Sequence, residues 1–135
     1  MIEITLPWPP SALSPNFRTH WAVKSKAAKA YRLACFTLCK EAGLVLPSSI
    51  PNELYGTLGL ALGQSRWHLF LDFFPPDRRK RDDDNMIASF KSGRDGIADA
   101  LKIDDTRFIC HPFFKDEIGG YVKVTIGAGP YRNAK

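Results

Sequence analysis

Residues 77–85 read DRRKRDDDN, four consecutive cations running straight into three consecutive carboxylates. Like charges so crowded repel one another, so the stretch is either a solvated turn or the match for a partner that cancels its charge. In an extended segment, residues i and i+2 point the same way, which turns Asp82 and Asp84 to one side and Asp83 to the other. Two ionised carboxylates side by side call for a cation between them. Hard oxygen donors with no His or Cys nearby suit Mg²⁺ or Mn²⁺ better than zinc. Such an ion makes a bound water nucleophilic and neutralises charge on a phosphoryl oxygen. The neighbouring Arg78, Arg79, Lys80 and Arg81 suit a phosphate backbone, Lys91 projects near Asp84 on one helical face, and Asp104-Asp105 adds a second acidic pair. Asp84 also has a structural alternative, because it stands where an N-cap of the following helix is expected.

Positioning those groups requires a scaffold, and the periodicities supply one. Residues 3–6 read as a short strand stopped by Pro7, Pro9 and Pro10. Helical spacing from Ala22 to Ala42 gathers Ala27, Ala28, Tyr31, Ala34, Cys35, Leu38, Cys39 and Ala42 on one side. Lys26, Lys29, Arg32 and Lys40 fall on the other, together with Leu33 and Phe36, so this basic face is either solvated or meets DNA or a second subunit. Strands are expected at 54–62 and 67–74, the latter (WHLFLDFF) central and ending at Pro75-Pro76. The charged stretch therefore leaves a core strand.

A second helix is expected from Asn85 to Lys102, with Met86, Ile87, Phe90, Ile97 and Leu101 inward and Lys91, Asp95 and Lys102 outward. Gly93 and Gly96 inside it imply a break or a close helix approach. Residues 107–115 and 121–126 complete the chain as a hairpin. The order is β-α-β-β-α-β-β, a single-domain α/β protein with a mixed sheet over residues 1–135, of which 128–135 read as a flexible tail.

With 44% hydrophobic and 12% aromatic residues, the chain has the material for a real core and is not a disordered tail. No apolar run approaches the ~18 residues of a membrane span, and the N-terminus lacks the basic start and apolar stretch of a signal peptide. A cytoplasmic location without a membrane partner is expected. The net charge of +5 favours polyanionic partners. That surplus lies in residues 1–45, whereas cations and anions balance over 75–107, so basic surface and acidic cluster are separate features. Cys35, Cys39 and Cys110 are odd in number and read as reduced thiols; with His111 they offer a zinc set, though without close Cys-x-x-Cys pairs.

The run PPDRRKRDDDN, the helix after it and DALKIDD resemble the RusA family of Holliday junction resolvases, and ITLPWPPS resembles that family's opening strand and loop. The resemblance spans residues 3 to about 126. It implies a small, intertwined homodimeric endodeoxyribonuclease, often of phage or prophage origin, that resolves four-way DNA junctions by paired symmetric nicks in recombination and repair. It further implies Mg²⁺, with Mn²⁺ as a substitute, and no small-molecule cofactor. The family's essential carboxylates fall on Asp82, Asp84 and Asp105, which would hold the metal.

Its lysine position, four residues after the second Asp of D-x-D, is Ala88 here; Lys91 is the shifted equivalent. Arg78, Arg79, Lys80 and Arg81, with Lys26, Lys29 and Arg32 of the first helix, would contact DNA, and Trp8, Phe17 and Trp21 are candidates for stacking on junction bases. A straight helix from Asn85 to Lys102 would be about 27 Å long and would hold Asp84 and Asp105 too far apart to share an ion. Either the helix breaks at Gly93 or Gly96, or Asp105 serves the site of the other subunit. The alternatives in function are a nuclease for flaps or forks and a non-catalytic basic DNA-binding dimer.

Overall fold

The computed structural model describes residues 2–44 and 67–127, with Asp105 as backbone only; the strand expected at 54–62 and the tail at 128–135 lie outside the described residues. Strand β1 (Ile2–Pro7) alternates buried Ile4 and Leu6 with exposed Glu3 and Thr5, the pattern of a half-covered strand. Helix α1 (Trp21–Glu41) follows a loop with a 3-10 turn at Ser11–Leu13. Strand β2 (Trp67–Phe74) leads through the charged loop into α2 (Asp83–Ser89) and α3 (Lys91–Leu101). A 3-10 turn at Asp105–Arg107 precedes β3 (Phe108–Phe114) and then β4 (Tyr121–Gly127). These elements form an α/β domain on a mixed sheet.

The sheet order is β1-β4-β2-β3, with β4 antiparallel to both neighbours and β2 parallel to β3. β2 is central, as its nearly continuous apolar sequence requires. The expected hairpin of the last two strands does not form, because β2 lies between them. Their six-residue connection instead crosses the end of β2, where the N–H groups of Lys115, Gly119 and Gly120 donate to the carbonyls of Phe73, Pro75 and Phe74 at 3.0, 2.8 and 2.8 Å. Gly120 makes the turn with φ of 78°, a conformation natural to glycine. Pro112 is tolerated in β3 because that strand is an edge of the described sheet.

One face of the sheet builds the core. Leu69, Leu71 and Phe73 of β2 join Val122, Val124 and Ile126 of β4 against Tyr31, Cys35 and Cys39 of α1 and Ile97, Ala98 and Leu101 of α3. Ala34 and Ala42, expected on the inward side of α1, are exposed. α1 and α3 approach so closely that a Cβ on Gly96 would lie 2.5 Å from the Arg32 carbonyl oxygen. The expected second helix is therefore divided, but at Phe90 and not at either glycine. Phe90 is fully buried, edge-on to both Tyr31 and Phe73 at 6.3 and 6.0 Å, and its ring lies over Gly93. Core packing of that ring, with the Ser89 hydroxyl donating to the Met86 carbonyl, ends one helix and starts the next. The break leaves Ile87 exposed, contrary to its expected inward position.

Candidate nucleic-acid and metal site

The charged loop is fastened at both ends before its charges are counted. Tyr31 donates its hydroxyl to the Pro7 carbonyl, which ties α1 to the end of β1. Burial raises the Tyr31 pKa, keeping the phenol neutral and a donor. Trp8 then packs edge-on to Phe73 at 6.1 Å, and its backbone N–H donates to the Gly120 carbonyl. Within the loop, the Asp77 carboxylate accepts from the Arg79 N–H at 2.9 Å, an Asx turn. It also pairs with Arg81 at 2.9 Å, and that hydrogen bond is the main reason its pKa lies below the ordinary carboxylate value. Arg81 donates as well to the carbonyls of Asp77 and Arg79 and lies 5.6 Å above the Trp8 ring. Of the four cations, Arg81 is thus turned inward as a brace, while Arg78, Arg79 and Lys80 remain exposed.

The D-D-D run does not alternate as an extended segment would, because α2 begins at Asp83. Asp82 is the N-cap, with extended φ and ψ of −81° and 131°, and its carboxylate accepts from the Asp84 N–H at 2.8 Å. The capping role expected for Asp84 therefore belongs to Asp82. Asp83 and Asp84 occupy the first turn, exposed, where the helix dipole favours negative charge.

Facing these groups across a groove of about 440 Å³ is the loop after β1. Trp8, Ser14 and Asn16 form one wall, and Arg79, Lys80 and Asp82 the other. The groove thus sets a helix-capping carboxylate beside two exposed cations. Sequence spacing gave no hint that Ser14 and Asn16 would face them, since that contact depends on β1 and β2 being brought together by β4.

Lys91 and the second acidic pair lie elsewhere. Lys91 reaches Asp95 one helical turn on, at 3.2 Å, and lines a second depression with Asp99 and Asp104. Asp104 accepts from the Thr106 N–H and hydroxyl at 3.0 and 2.9 Å, shaping the turn that contains Asp105. Arg32 donates to Asp99 through two bonds of 2.6 and 2.8 Å, while Lys26 and Lys29 are exposed on α1.

Topology explains the separation of Asp105 from Asp82. Because β2 and β3 run parallel, with Trp67 opposite Phe108, the chain leaves β2 at one end of the sheet and enters β3 at the other. Seven residue steps separate those ends, about 23 Å along the strand axis. Asp82 follows the first end and Asp105 precedes the second. Breaking the helix at Phe90 does not return the chain to its starting end.

No family model matches the chain. It is 44% identical over 128 residues to an uncharacterized protein of Xylella fastidiosa (strain Temecula1 / ATCC 700964), covering 93% of this chain and 76% of that protein. The chain belongs to that protein's family.

Among the described residues, no three His, Cys, Asp or Glu side chains converge as a metal site. The cysteine set is dispersed: Cys35 and Cys39 are fully buried in α1, where burial pushes their thiols up to about 12 and about 11. Cys110 lies in β3 near Arg94, and His111 contacts His68 at 2.7 Å. The donor set at the charged loop still fits Mg²⁺, which is commonly held by one or two carboxylates, with waters and substrate phosphates completing its shell. No described helix is long and apolar enough to cross a membrane.

Proposed function

We propose that the chain is a metal-dependent endodeoxyribonuclease of the RusA type, which resolves four-way DNA junctions by paired symmetric nicks. The observation that carries this reading is the groove that sets Asp82 beside Arg79 and Lys80. Its exposed cations suit the backbone phosphates of a DNA strand, and its carboxylates suit the ion that a phosphodiester hydrolase needs. Asp82 and Asp84 would hold Mg²⁺, or Mn²⁺ in its place, which supplies a nucleophilic water and charge neutralisation at the phosphate. Arg78, Arg79 and Lys80 hold the strand on either side, and Arg81 keeps the loop in shape. Lys26 and Lys29 extend the basic surface along α1.

The opposite-end placement of Asp105 supports a site shared between two copies of the chain in a homodimer, with Asp105 of one copy completing the carboxylates of the other. Lys91, held by Asp95 at the start of α3, would stabilise the scissile phosphate. Two such sites related by a dimer axis match the two cuts that junction resolution requires. Mixing Asp82→Asn protein with Asp105→Asn protein checks the arrangement. A shared site predicts that the mixture regains cleavage that neither variant has alone; an inactive mixture counts against it.

The capping geometry of Asp82 favours a second reading, a DNA-binding dimer whose carboxylates only end helices. Asn caps about as well as Asp, so Asp82→Asn separates the two roles. The nuclease reading predicts that this variant keeps its Tm and loses about a hundredfold or more in Mg²⁺-dependent cleavage of a mobile four-way junction. Cleavage of flaps in preference to junctions by the unsubstituted protein would redirect the substrate. Tight DNA binding with no Mg²⁺-dependent cutting would sink the enzyme.

A further inference from the structure

Trp21 is 74% exposed at the first residue of α1, an unusual place for the largest apolar side chain. It is nevertheless held. The His20 ring packs against it at 5.5 Å with a 33° tilt, and His20 itself is fixed by its Nδ1, which accepts from the Ala22 N–H at 3.1 Å. Phe17, 41% exposed, lies in the same short segment. One indole face is therefore backed and the ring projects into solvent as a firm platform.

The surroundings indicate what it meets. Between Glu3 and Glu41 there is no carboxylate side chain, while Arg18, Lys24 and Lys26 surround the aromatic segment in sequence. Lys24 donates to the Ser14 carbonyl at 3.4 Å, joining the first turn of α1 to the loop whose Ser14 and Asn16 line the Asp82 groove. Exposed rings in a segment with cations and no carboxylates, joined through Ser14 to the groove that holds Arg79 and Lys80, complement a polyanion that also offers aromatic faces. Single-stranded and branched DNA does so, because a base at a branch has lost a stacking neighbour. Duplex interiors do not. Trp8, the other candidate ring, is unsuited: Phe73 takes its edge and Arg81 covers its face.

We infer that Trp21, backed by His20 and flanked by Phe17, stacks on a nucleobase exposed at a DNA branch and thereby distinguishes branched DNA from linear duplex. The inference rests on the nucleic-acid reading of the groove but not on cleavage. The test is the affinity of unsubstituted, Trp21→Ala and Trp21→Phe protein for a four-way junction and for a linear duplex of the same sequence, at one salt concentration and without Mg²⁺. Loss of one stacked base weakens binding about 5- to 150-fold. Trp21→Ala should lose that much on the junction and little on the duplex, with Trp21→Phe recovering most of it.

Equal loss on both DNAs, or no loss on either, overturns the inference. So does a Trp21→Ala defect confined to anionic phospholipid vesicles, which would make the platform a membrane contact. Quenching of 2-aminopurine placed at the branch by the unsubstituted protein reads the stack without any variant, and its absence is equally adverse. If the unsubstituted protein fails to cut with Mg²⁺, the nuclease reading falls while a junction-selective Trp21 effect stands. The reverse result removes Trp21 and leaves the nuclease.

Discussion

Helices α2 and α3 are consecutive in the chain, yet they are built for opposite purposes. α3 buries Gly93, Gly96, Ile97, Ala98, Ala100 and Leu101 and lies hard against α1. α2 buries only Met86 and Ser89, and it presents Asp83, Asp84, Ile87 and Ala88 to solvent. Small residues let α3 sit as part of the core, whereas α2 hangs from the loop through its Asp82 cap. The difference teaches that one helix fixes the scaffold while the other displays charge. Lys91, at the first residue of α3, belongs to the rigid half, whereas the RusA resemblance would set its lysine at Ala88 in the displayed half.

The largest expected effect tests the rigid half. Gly96→Ala places a Cβ 2.5 Å from the Arg32 carbonyl oxygen and 2.9 Å from the Cys35 Cβ, neither of which is a flexible side-chain end. Overpacking of this kind should cost about 3 kcal/mol, on the order of 10 °C in Tm. Ala88→Lys in the displayed half should change stability by no more than about 0.5 kcal/mol, since Ala88 is exposed. Thermal denaturation of both variants compares the two helices directly. Similar losses would erase the distinction between them.

A smaller effect separates the cap from the charge. Asp82→Ala removes the acceptor for the Asp84 N–H and should cost about 1 kcal/mol, while Asp82→Asn should cost almost nothing. Denaturant titration of the two variants reads the difference. Should Asn destabilise as much as Ala, the carboxylate charge and not the capping bond holds α2 in place.

Much of this scaffold was legible in the sequence, and the failures share a cause. WHLFLDFF ending at Pro75-Pro76 gave β2 to the residue, because a nearly continuous apolar run stopped by prolines has few other uses. The helix from Ala22 to Ala42 was displaced by only one residue at each end. The Gly119-Gly120 turn, by contrast, suggested a hairpin, and local chemistry alone cannot reveal that β2 is inserted between its arms. Phe90 ended a helix for the sake of contacts with Tyr31 and Phe73, both distant in sequence.

At the site, residue types were readable and their grouping was not. Asp82, Arg79 and Lys80 share a groove as adjacency suggests, but Arg81 is spent on Asp77 and Trp8, and the i, i+2 argument failed once α2 began at Asp83. The separation of Asp82 from Asp105 follows from the parallel register of β2 and β3, a long-range fact. The exposure of Trp21 was equally hidden, since an aromatic at the head of an amphipathic helix is more often buried.

The smallest effect lies on the outer seam between α3 and α1. Arg32 holds Asp99 through two hydrogen bonds, and those bonds are the main reason the Asp99 carboxyl titrates below the ordinary carboxylate value. A carboxyl depressed in the folded state contributes stability above its unfolded pKa and loses it as pH falls through the folded one. The contribution should therefore be complete at neutral pH and disappear as pH drops below about 4. Both side chains are more than one-third exposed, so water and salt screen the pair and it is worth about 0.2–1 kcal/mol. Arg32→Gln should lower stability by that small amount at pH 7 and by nothing measurable at pH 2–3, read as converging denaturation midpoints. A gap that persists in acid would mean that Arg32 supports α3 through packing of its stem rather than through charge. Convergence would leave Gly96, and not the ion pair, as the feature that locks the rigid half to α1.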